Sequence, residues 1–425
     1  MGRLRKLGRL AVVDTTPLRQ VSGYRWLFAG MFAMQVGRQL SVVAVPLQIY
    51  DMTGSTLAVG LLGLAQLIPL LLVSLIGGAL ADAVDRRRLM AFSQMVMALT
   101  AAGLLWNSLA DSPALWPLYV LGAFNAGISA IVSPARTALL PGLVGRALLP
   151  SALALNQTQT NIAKAAIPAL GGFLIAVSGF PVTYALETFA LIVSVLLIFR
   201  VPNVETEGGG RPFSLSSIME GFQFLRPRRL IQAALLIDLA AMVFGMPTAL
   251  FPAFGKDVLG GNDFTVGLLF AAPGIGALIG ALTSGWVPLV RRQGRAVVVA
   301  VIGWGFAIAI FGLSSTLVVS LLALAVAGAA DVVSAIFRGS IVQLSVPDSL
   351  RGRLSSMHMA VVAGGPRLGD LEAGVVAALT SVRISIVSGG LACVLAAWGI
   401  ARWAPSFLNY EYDPDEPEVA APANP

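Results

Sequence analysis

Charged side chains inside long apolar runs are the residues of this chain that could do chemistry. An ionised side chain in the middle of a bilayer costs about 3 kcal/mol or more, so such residues bind charged solutes, carry protons or pair with one another. A carboxylate that is poorly hydrated also takes up a proton more readily than one in water. The candidates are Gln35, Arg38, Lys164, Glu187, Asp238, Asp331, Arg367, Asp370 and Glu372.

Twelve apolar stretches must position these side chains. The sequence has 425 residues, 57% of them apolar and only 12% charged, whereas soluble domains are about 45–50% apolar and about 25% charged. A membrane-spanning helix needs about 20 apolar residues. Stretches of that length lie at roughly 26–50, 56–81, 88–110, 114–133, 150–178, 181–200, 230–254, 265–288, 296–314, 317–340, 354–380 and 384–403. We therefore predict an all-α integral membrane protein with twelve transmembrane helices.

The basic residues fall almost entirely on one side of this arrangement. If the N-terminus is cytoplasmic, the outer connections hold only Lys256 and Arg383, and the inner ones hold runs such as Arg86-Arg87-Arg88. Cytoplasmic connections of membrane proteins are enriched in Lys and Arg. We expect a multi-pass protein of the inner (plasma) membrane, in contact with the lipid bilayer, with both termini cytoplasmic. We also expect a monomer.

Three segments lie outside the two predicted bundles of helices. Residues 1–25 form a basic cytoplasmic tail, residues 26–200 and 230–403 form the N-terminal and C-terminal six-helix bundles, and residues 201–229 join them. In this linker Ser217-x-x-Glu220 is a capping-box pattern, which indicates either an amphipathic helix on the inner leaflet or a plain linker with one helical turn. Residues 404–425 are acidic and rich in Pro and Ala, so we predict a disordered tail.

The two halves of the chain repeat. Val59-Gly60-Leu61-Leu62 recurs 207 residues later as Val266-Gly267-Leu268-Leu269, and Gly78 and Arg88 recur as Gly285 and Arg295. Two six-helix halves in the same orientation form a parallel repeat. In such transporters the solute site lies between the halves near the bilayer midplane.

The connection between the second and third spans carries a family resemblance. Gly78-x-x-x-Asp82-x-x-x-Arg86-Arg87 is similar to the signature of the major facilitator superfamily, with Asp85 where the second glycine usually stands. Pro168-Ala169-Leu170-Gly171-Gly172 resembles the superfamily's antiporter signature, except that Ile167 replaces its first glycine. Val266-Gly267-Leu268 and Arg351-Gly352-Arg353-Leu354 resemble the branch that contains enterobactin exporters and drug efflux proteins.

This resemblance implies roles for several of the candidates. It implies that spans one, four, seven and ten line the central cavity, which favours Gln35, Arg38, Asp238 and Asp331 as contacts of substrate or protons. It also implies that Asp82 faces the start of span eleven and latches the two halves. We hypothesise that Asp238 or Asp331 is the proton-coupling carboxylate and that Arg38 modulates it or contacts substrate.

Structural roles remain open for the other charged residues. Arg367 and Asp370 are three residues apart on one helix and can neutralise each other. Lys164 can pair with a carboxylate across the bundle, and His358 can be a satisfied packing residue or a proton relay. Asn156, Gln157, Gln159 and Asn161 make the first half of span five polar, either to line the cavity or to join helices.

Several function classes are excluded. The sequence has no Walker-type phosphate loop and no Gly-x-Ser-x-Gly, so ATP-driven transport and hydrolase chemistry are not expected. A single His and a single Cys argue against a metal site, the scattered basic residues argue against nucleic acid binding, and no cofactor is implied. We predict a non-enzymatic, proton-coupled secondary transporter that exports a small amphipathic or anionic molecule such as a siderophore. The alternatives are a multidrug or macrolide efflux pump and a non-transporting membrane sensor or assembly module.

Overall fold

The computed structural model describes residues 14–203, 225–346 and 348–412, and for residues 75–83, 288, 348–357, 359 and 360 it describes the backbone alone. Helices account for nearly all of these ranges, which contain no β-strand. The helices are α1 (Thr16–Gln20), α2 (Ser22–Thr53), α3 (Thr56–Ala83), α4 (Arg86–Ser108), α5 (Trp116–Phe199), α6 (Arg229–Phe244), α7 (Phe251–Ala253), α8 (Asp263–Leu282), α9 (Gln293–Leu313), α10 (Leu317–Leu344), α11 (Asp348–Leu379), α12 (Val382–Trp403) and α13 (Pro405–Leu408).

The helices supply twelve membrane crossings. Nine helices within the described ranges are long and apolar enough to span a membrane. One of them, α5, has 84 residues and is broken at Gly145 and Gly179, whose φ angles are 72° and 77°. At about 1.5 Å per residue its length is several times the bilayer thickness of about 30 Å, so its three segments cross separately. The 32-residue α11 completes the count, which confirms the predicted fold class.

Contacts between Cα atoms divide the chain into two compact units. Unit 1 comprises Met1–Met52, Ala65–Phe213 and Asn262–Ala271, and unit 2 comprises Thr53–Leu64, Ser214–Gly261 and Ala272–Pro425. These units differ from the predicted bundles at two short segments, since the first turns of α3 belong to unit 2 and those of α8 belong to unit 1. The predicted amphipathic helix in the linker lies outside the described residues.

Polar side chains join the helices in the core of unit 1. Ser194 in α5 is fully buried, and its hydroxyl lies 2.6 Å from the carbonyl oxygen of Gly30 and 2.8 Å from Oε1 of Gln94. The hydroxyl of Tyr24 in α2 donates to the carbonyl oxygen of Ala152 at 3.0 Å. Such interhelical hydrogen bonds satisfy polar groups where water is scarce. They connect α2, α4 and α5 around a core of Leu and Met side chains.

The predicted disordered tail is folded as far as Tyr412. Phe407 in α13 is fully buried, and the backbone N–H of Tyr412 donates to the carbonyl oxygen of Arg291 at 2.7 Å. Arg292 and Glu411 form an ion pair at 2.8 Å. The prediction of disorder is therefore wrong for residues 404–412, because one buried aromatic ring and backbone hydrogen bonds dock them against the start of α9. Residues 413–425 lie outside the described residues.

Candidate functional site

Unit 2 contains a buried ion pair. Asp238 in α6 is completely buried, and Arg338 in α10 is only 3% exposed. Nη2 of Arg338 is 2.7 Å from Oδ1 of Asp238, and Nη1 of Arg338 donates to Oγ of Ser334 at 2.8 Å. Nδ1 of His358 in α11 is 3.8 Å from Oδ2 of Asp238. Three helices thus bring an acid, a permanent cation and an imidazole together.

This ion pair has few other partners. In the part of the chain that the structure describes, neither oxygen of Asp238 makes a well-oriented hydrogen bond, and Nε of Arg338 also lacks one. Removing two charges from water costs several kcal/mol per ion, which is recovered fully only where further hydrogen bonds satisfy both groups. The pair is therefore poor evidence for stabilisation. An incompletely satisfied charge pair at membrane depth is instead a candidate functional element.

Arg338 is the site residue that sequence reasoning missed. The predicted span 317–340 ends two residues after it, and Arg338 is absent from the candidates named above, although apolar residues such as Ile341 and Val342 follow it. In the structure α10 continues to Leu344, so Arg338 lies within the helix. The apolar residues after Arg338 were the available signal.

The seventh predicted span is interrupted a few residues after Asp238. The sequence indicated one continuous span over 230–254, but α6 ends at Phe244 and the chain resumes with a 3-10 turn at Thr248–Leu250. Pro247 stands between them and has no N–H to continue the helical hydrogen bonds. The carbonyl oxygen of Gly245 is held by Nε1 of Trp304 at 2.8 Å. The break therefore has a fixed geometry.

Asp370 accepts hydrogen bonds from the first residues of the helical segment that follows this break. Its Oδ1 accepts from the hydroxyl of Thr248 and from the backbone N–H of Ala249, the latter at 3.0 Å. Nη1 of Arg367 is 3.5 Å from Oδ2 of Asp370, so the two residues do pair along α11. The contacts to Thr248 and Ala249 show that Asp370 also satisfies backbone and side-chain donors at the start of a helical segment, as an N-cap does.

Unit 1 contains a separate buried carboxylate. Glu187 in the last segment of α5 is completely buried, and Oγ of Ser41 donates to its Oε1 at 2.6 Å. Its Oε2 has no hydrogen-bond partner among the described residues. One helical turn away, the hydroxyl of Tyr184 donates to Oε1 of Gln48 at 2.7 Å. These contacts connect α2 to the last segment of α5.

The remaining candidates are dispersed within their own units. Gln35 is buried, Arg38 and Lys164 are exposed, and Asp331 and Glu372 are half-buried. Arg38, Lys164 and Asp331 each already interact with another group. Within unit 2, the cation that meets Asp238 is Arg338, and the modulation of Asp238 by Arg38 stays a prediction.

The basic end of the signature joins α4 to α5 and to the residues that follow α5 in unit 1. Asp85 caps α4, since its Oδ1 accepts from the backbone N–H groups of Arg87 at 2.9 Å and Arg88 at 3.2 Å. Nη1 of Arg86 donates to the carbonyl oxygen of Ala138 at 3.0 Å, and Nη1 of Arg87 donates to that of Val201 at 2.9 Å. An acid in place of the usual glycine therefore has an N-cap role. Gly78 and the Asp82 side chain fall in the stretch described by backbone alone.

The glycines of the antiporter signature and of the repeat meet in two similar contacts. In unit 1 a Cβ on Gly172 would lie 2.6 Å from Cα of Gly267, and in unit 2 a Cβ on Gly374 would lie 2.9 Å from Cα of Gly60. Gly60 and Gly267 are equivalent positions of the repeat. Only glycine permits backbones to approach this closely. Pro168 contributes its carbonyl oxygen, 2.7 Å from a Cβ on Gly267, and Gly171 faces Leu40.

Comparisons with known proteins agree with these features. A family model described as a transmembrane secretion effector matches residues 13–415. The enterobactin exporter EntS of Citrobacter koseri is 29% identical over 394 residues, which cover 92% of each chain.

Two solved structures share the fold. The nucleoside transporter NupG has a TM-score of 0.68 at 13% identity and covers 92% of this chain and 100% of its own. A bacterial homologue of the lysosomal transporter Spinster has a TM-score of 0.70 at 14% identity, over 92% of this chain and 99% of its own.

Proposed function

The chain belongs to the transmembrane secretion effector family of major facilitator transporters, and we propose that it exports a small amphipathic or anionic molecule, such as a siderophore, in exchange for protons. Its similarity to enterobactin exporters over 92% of both chains supports this substrate class and an inner-membrane location. The observation that carries proton coupling is the buried Asp238–Arg338 pair. The charge asymmetry of the connections supports cytoplasmic termini.

The ion pair provides a basis for coupling because it exists only while Asp238 is ionised. Protonation of Asp238 removes its attraction to Arg338, so the two protonation states favour different arrangements of α6 and α10. If solute binds the paired arrangement and a proton binds the unpaired one, the two ligands exclude each other. A transporter that carries solute in one state and a proton in the other exchanges the two across the membrane, which is antiport. His358, whose Nδ1 is 3.8 Å from Oδ2 of Asp238, is the group proposed to accept or deliver the proton.

Proton flux in proteoliposomes tests this proposal. The full-length protein is reconstituted with a pH dye inside, and a panel of anionic chelators and apolar cations is added under a pH gradient. We expect solute-dependent proton flux from the unmodified protein and from Asp111→Asn, which changes an exposed acid in a loop. Asp238→Asn is expected to abolish this flux.

The outcome separates coupling from folding and from the alternatives. Solute exchange without a pH gradient shows whether the Asp238→Asn protein is still folded, and Asp238→Glu is expected to retain flux with an altered pH profile. Unchanged proton flux in Asp238→Asn would refute the proposed role of this residue. Flux with apolar cations alone would indicate multidrug efflux, and no flux with any solute would indicate a non-transporting module.

A further inference from the structure

A small polar cavity in unit 1 is lined by none of the residues of the Glu187 site in that unit. It has a volume of about 90 Å³ and lies between the first and second segments of α5. Its polar lining comes from Arg136, Thr137, Asn156, Gln157 and Thr160. At about 30 Å³ per water molecule, this volume accommodates three waters or one carboxylate group.

The cavity contains a cation and no acid. Arg136, which lines this cavity, is half-buried. In residues 14–203, 225–346 and 348–412 no carboxylate forms an ion pair with Arg136, and none of the residues lining the cavity is acidic. A guanidinium held in this way can bind an oxyanion through two parallel N–H groups.

Neighbouring amides add donors, whereas the hydroxyls do not. The hydroxyl of Tyr24, which donates to the carbonyl oxygen of Ala152 at 3.0 Å, also lies 3.2 Å from Oδ1 of Asn156. The NH₂ group of Asn156 is therefore the end of that amide that does not face Tyr24. Nε2 of Gln157 donates one hydrogen to Asn161 at 3.1 Å and retains a second. Thr137 and Thr160 donate to carbonyl oxygens one turn earlier in α5. The donor set is therefore one guanidinium and two amides.

The rim of the cavity is open and partly apolar. Thr137 and Gln157 are exposed, and Leu153, which also lines the cavity, is 49% exposed. A ligand whose oxyanion contacts Arg136 can therefore extend past Leu153 toward the surface. This arrangement suits a molecule with an anionic group attached to an apolar or aromatic body.

We propose that this cavity is a binding site for the oxyanion of an amphipathic anion, with Arg136 as its counter-ion and Asn156 and Gln157 as hydrogen-bond donors. This site depends on the proposed function in one respect, which is that its ligand is taken to be a transported solute. The same chemistry could be supplied by a lipid phosphate, so the experiment must distinguish the two sources.

Ligand-dependent thermal unfolding tests this site without requiring transport. The full-length protein in phosphatidylcholine nanodiscs is titrated with benzoate, and with benzamide as the neutral analogue of the same shape. We expect benzoate to raise the melting temperature and benzamide to have no effect. Arg136→Gln is expected to weaken the benzoate response about tenfold or more, because charge-assisted hydrogen bonds are lost. Arg136→Lys is expected to retain part of it.

Two controls make the result decisive. Arg146→Gln removes an exposed arginine of the same α5 region and is expected to respond to benzoate like the unmodified protein. Asp111→Asn, the exposed loop variant of the flux experiment, is expected to respond in the same way. Because the flux experiment reports on Asp238 and the melting experiment on Arg136, failure of one proposal does not imply failure of the other. Equal responses to benzoate and benzamide, or a full response in Arg136→Gln, would overturn the site. Stabilisation by phosphatidylglycerol nanodiscs through Arg136, with none by benzoate, would assign it to a lipid headgroup and overturn the solute assignment.

Discussion

The substitution Asp238→Asn should destabilise unit 2 far more than removal of one negative charge does elsewhere. It leaves Arg338, which is 3% exposed, without its counter-ion at 2.7 Å. At that distance and an effective dielectric constant of 20, the lost attraction is about 6 kcal/mol. Breaking one partner of a buried ion pair costs about 3–5 kcal/mol in proteins. For a unit of roughly 200 residues this corresponds to a fall in melting temperature of about 6–20 °C.

A double-mutant cycle identifies the cause. In Asp238→Asn/Arg338→Met the unpaired cation is removed together with its partner, so most of the lost stability should return, to within about 2 kcal/mol of the unmodified protein. Tryptophan fluorescence of the full-length protein in nanodiscs reports unfolding, because Trp304 contacts the helix break of the same unit. Asp111→Asn, at an exposed loop position, should change the free energy of unfolding by no more than about 0.5 kcal/mol.

Two results would contradict this reasoning. If Asp238→Asn lowers the free energy of unfolding by less than about 1 kcal/mol, Arg338 has another anionic partner or is hydrated, and the pair is not the local charge balance. If the double variant is as unstable as the sum of its single variants, the two side chains do not interact. Either outcome would also remove the basis for assigning coupling to Asp238.

Further predictions concern the helix break, the glycine contacts, the second carboxylate and the tail. Asp370→Ala removes an acceptor from the start of the segment after Pro247 and should cost about 1–2 kcal/mol, measured as a lower melting temperature, with Asp111→Asn unchanged. Gly172→Val should prevent the close contact in unit 1 and lower transport more than membrane insertion, read by flux and by yield in the membrane fraction. Glu187→Gln should leave the melting temperature unchanged or raise it, since one carboxylate oxygen has no partner. Deleting residues 405–412 exposes the pocket of Phe407 and should lower the melting temperature, whereas deleting 413–425 serves as the control.

The buried carboxylates of the site could be predicted from the sequence, because a charged residue within an apolar run is costly to bury and is seldom present without a role. Asp238, Glu187 and Asp370 were identified on the cost of burying them, and the structure places all three in buried, hydrogen-bonded or ion-paired positions. The residue with which each carboxylate interacts could not be predicted from the sequence. Partner choice depends on which helices are neighbours, and the partners of Asp238 lie 100 and 120 positions further along the chain.

The class of this protein, its twelve apolar spans and its internal repeat follow from the amino-acid sequence alone. The hydrophobic effect and the thickness of the bilayer impose those features locally, on every stretch of about 20 residues. The tertiary structure was needed to show that Arg338 neutralises Asp238, that Asp370 stabilises a broken helix, and that Arg87 donates to the carbonyl oxygen of Val201. Each of these depends on a hydrogen bond or ion pair of about 3 Å between distant residues, and no local pattern encodes such a distance.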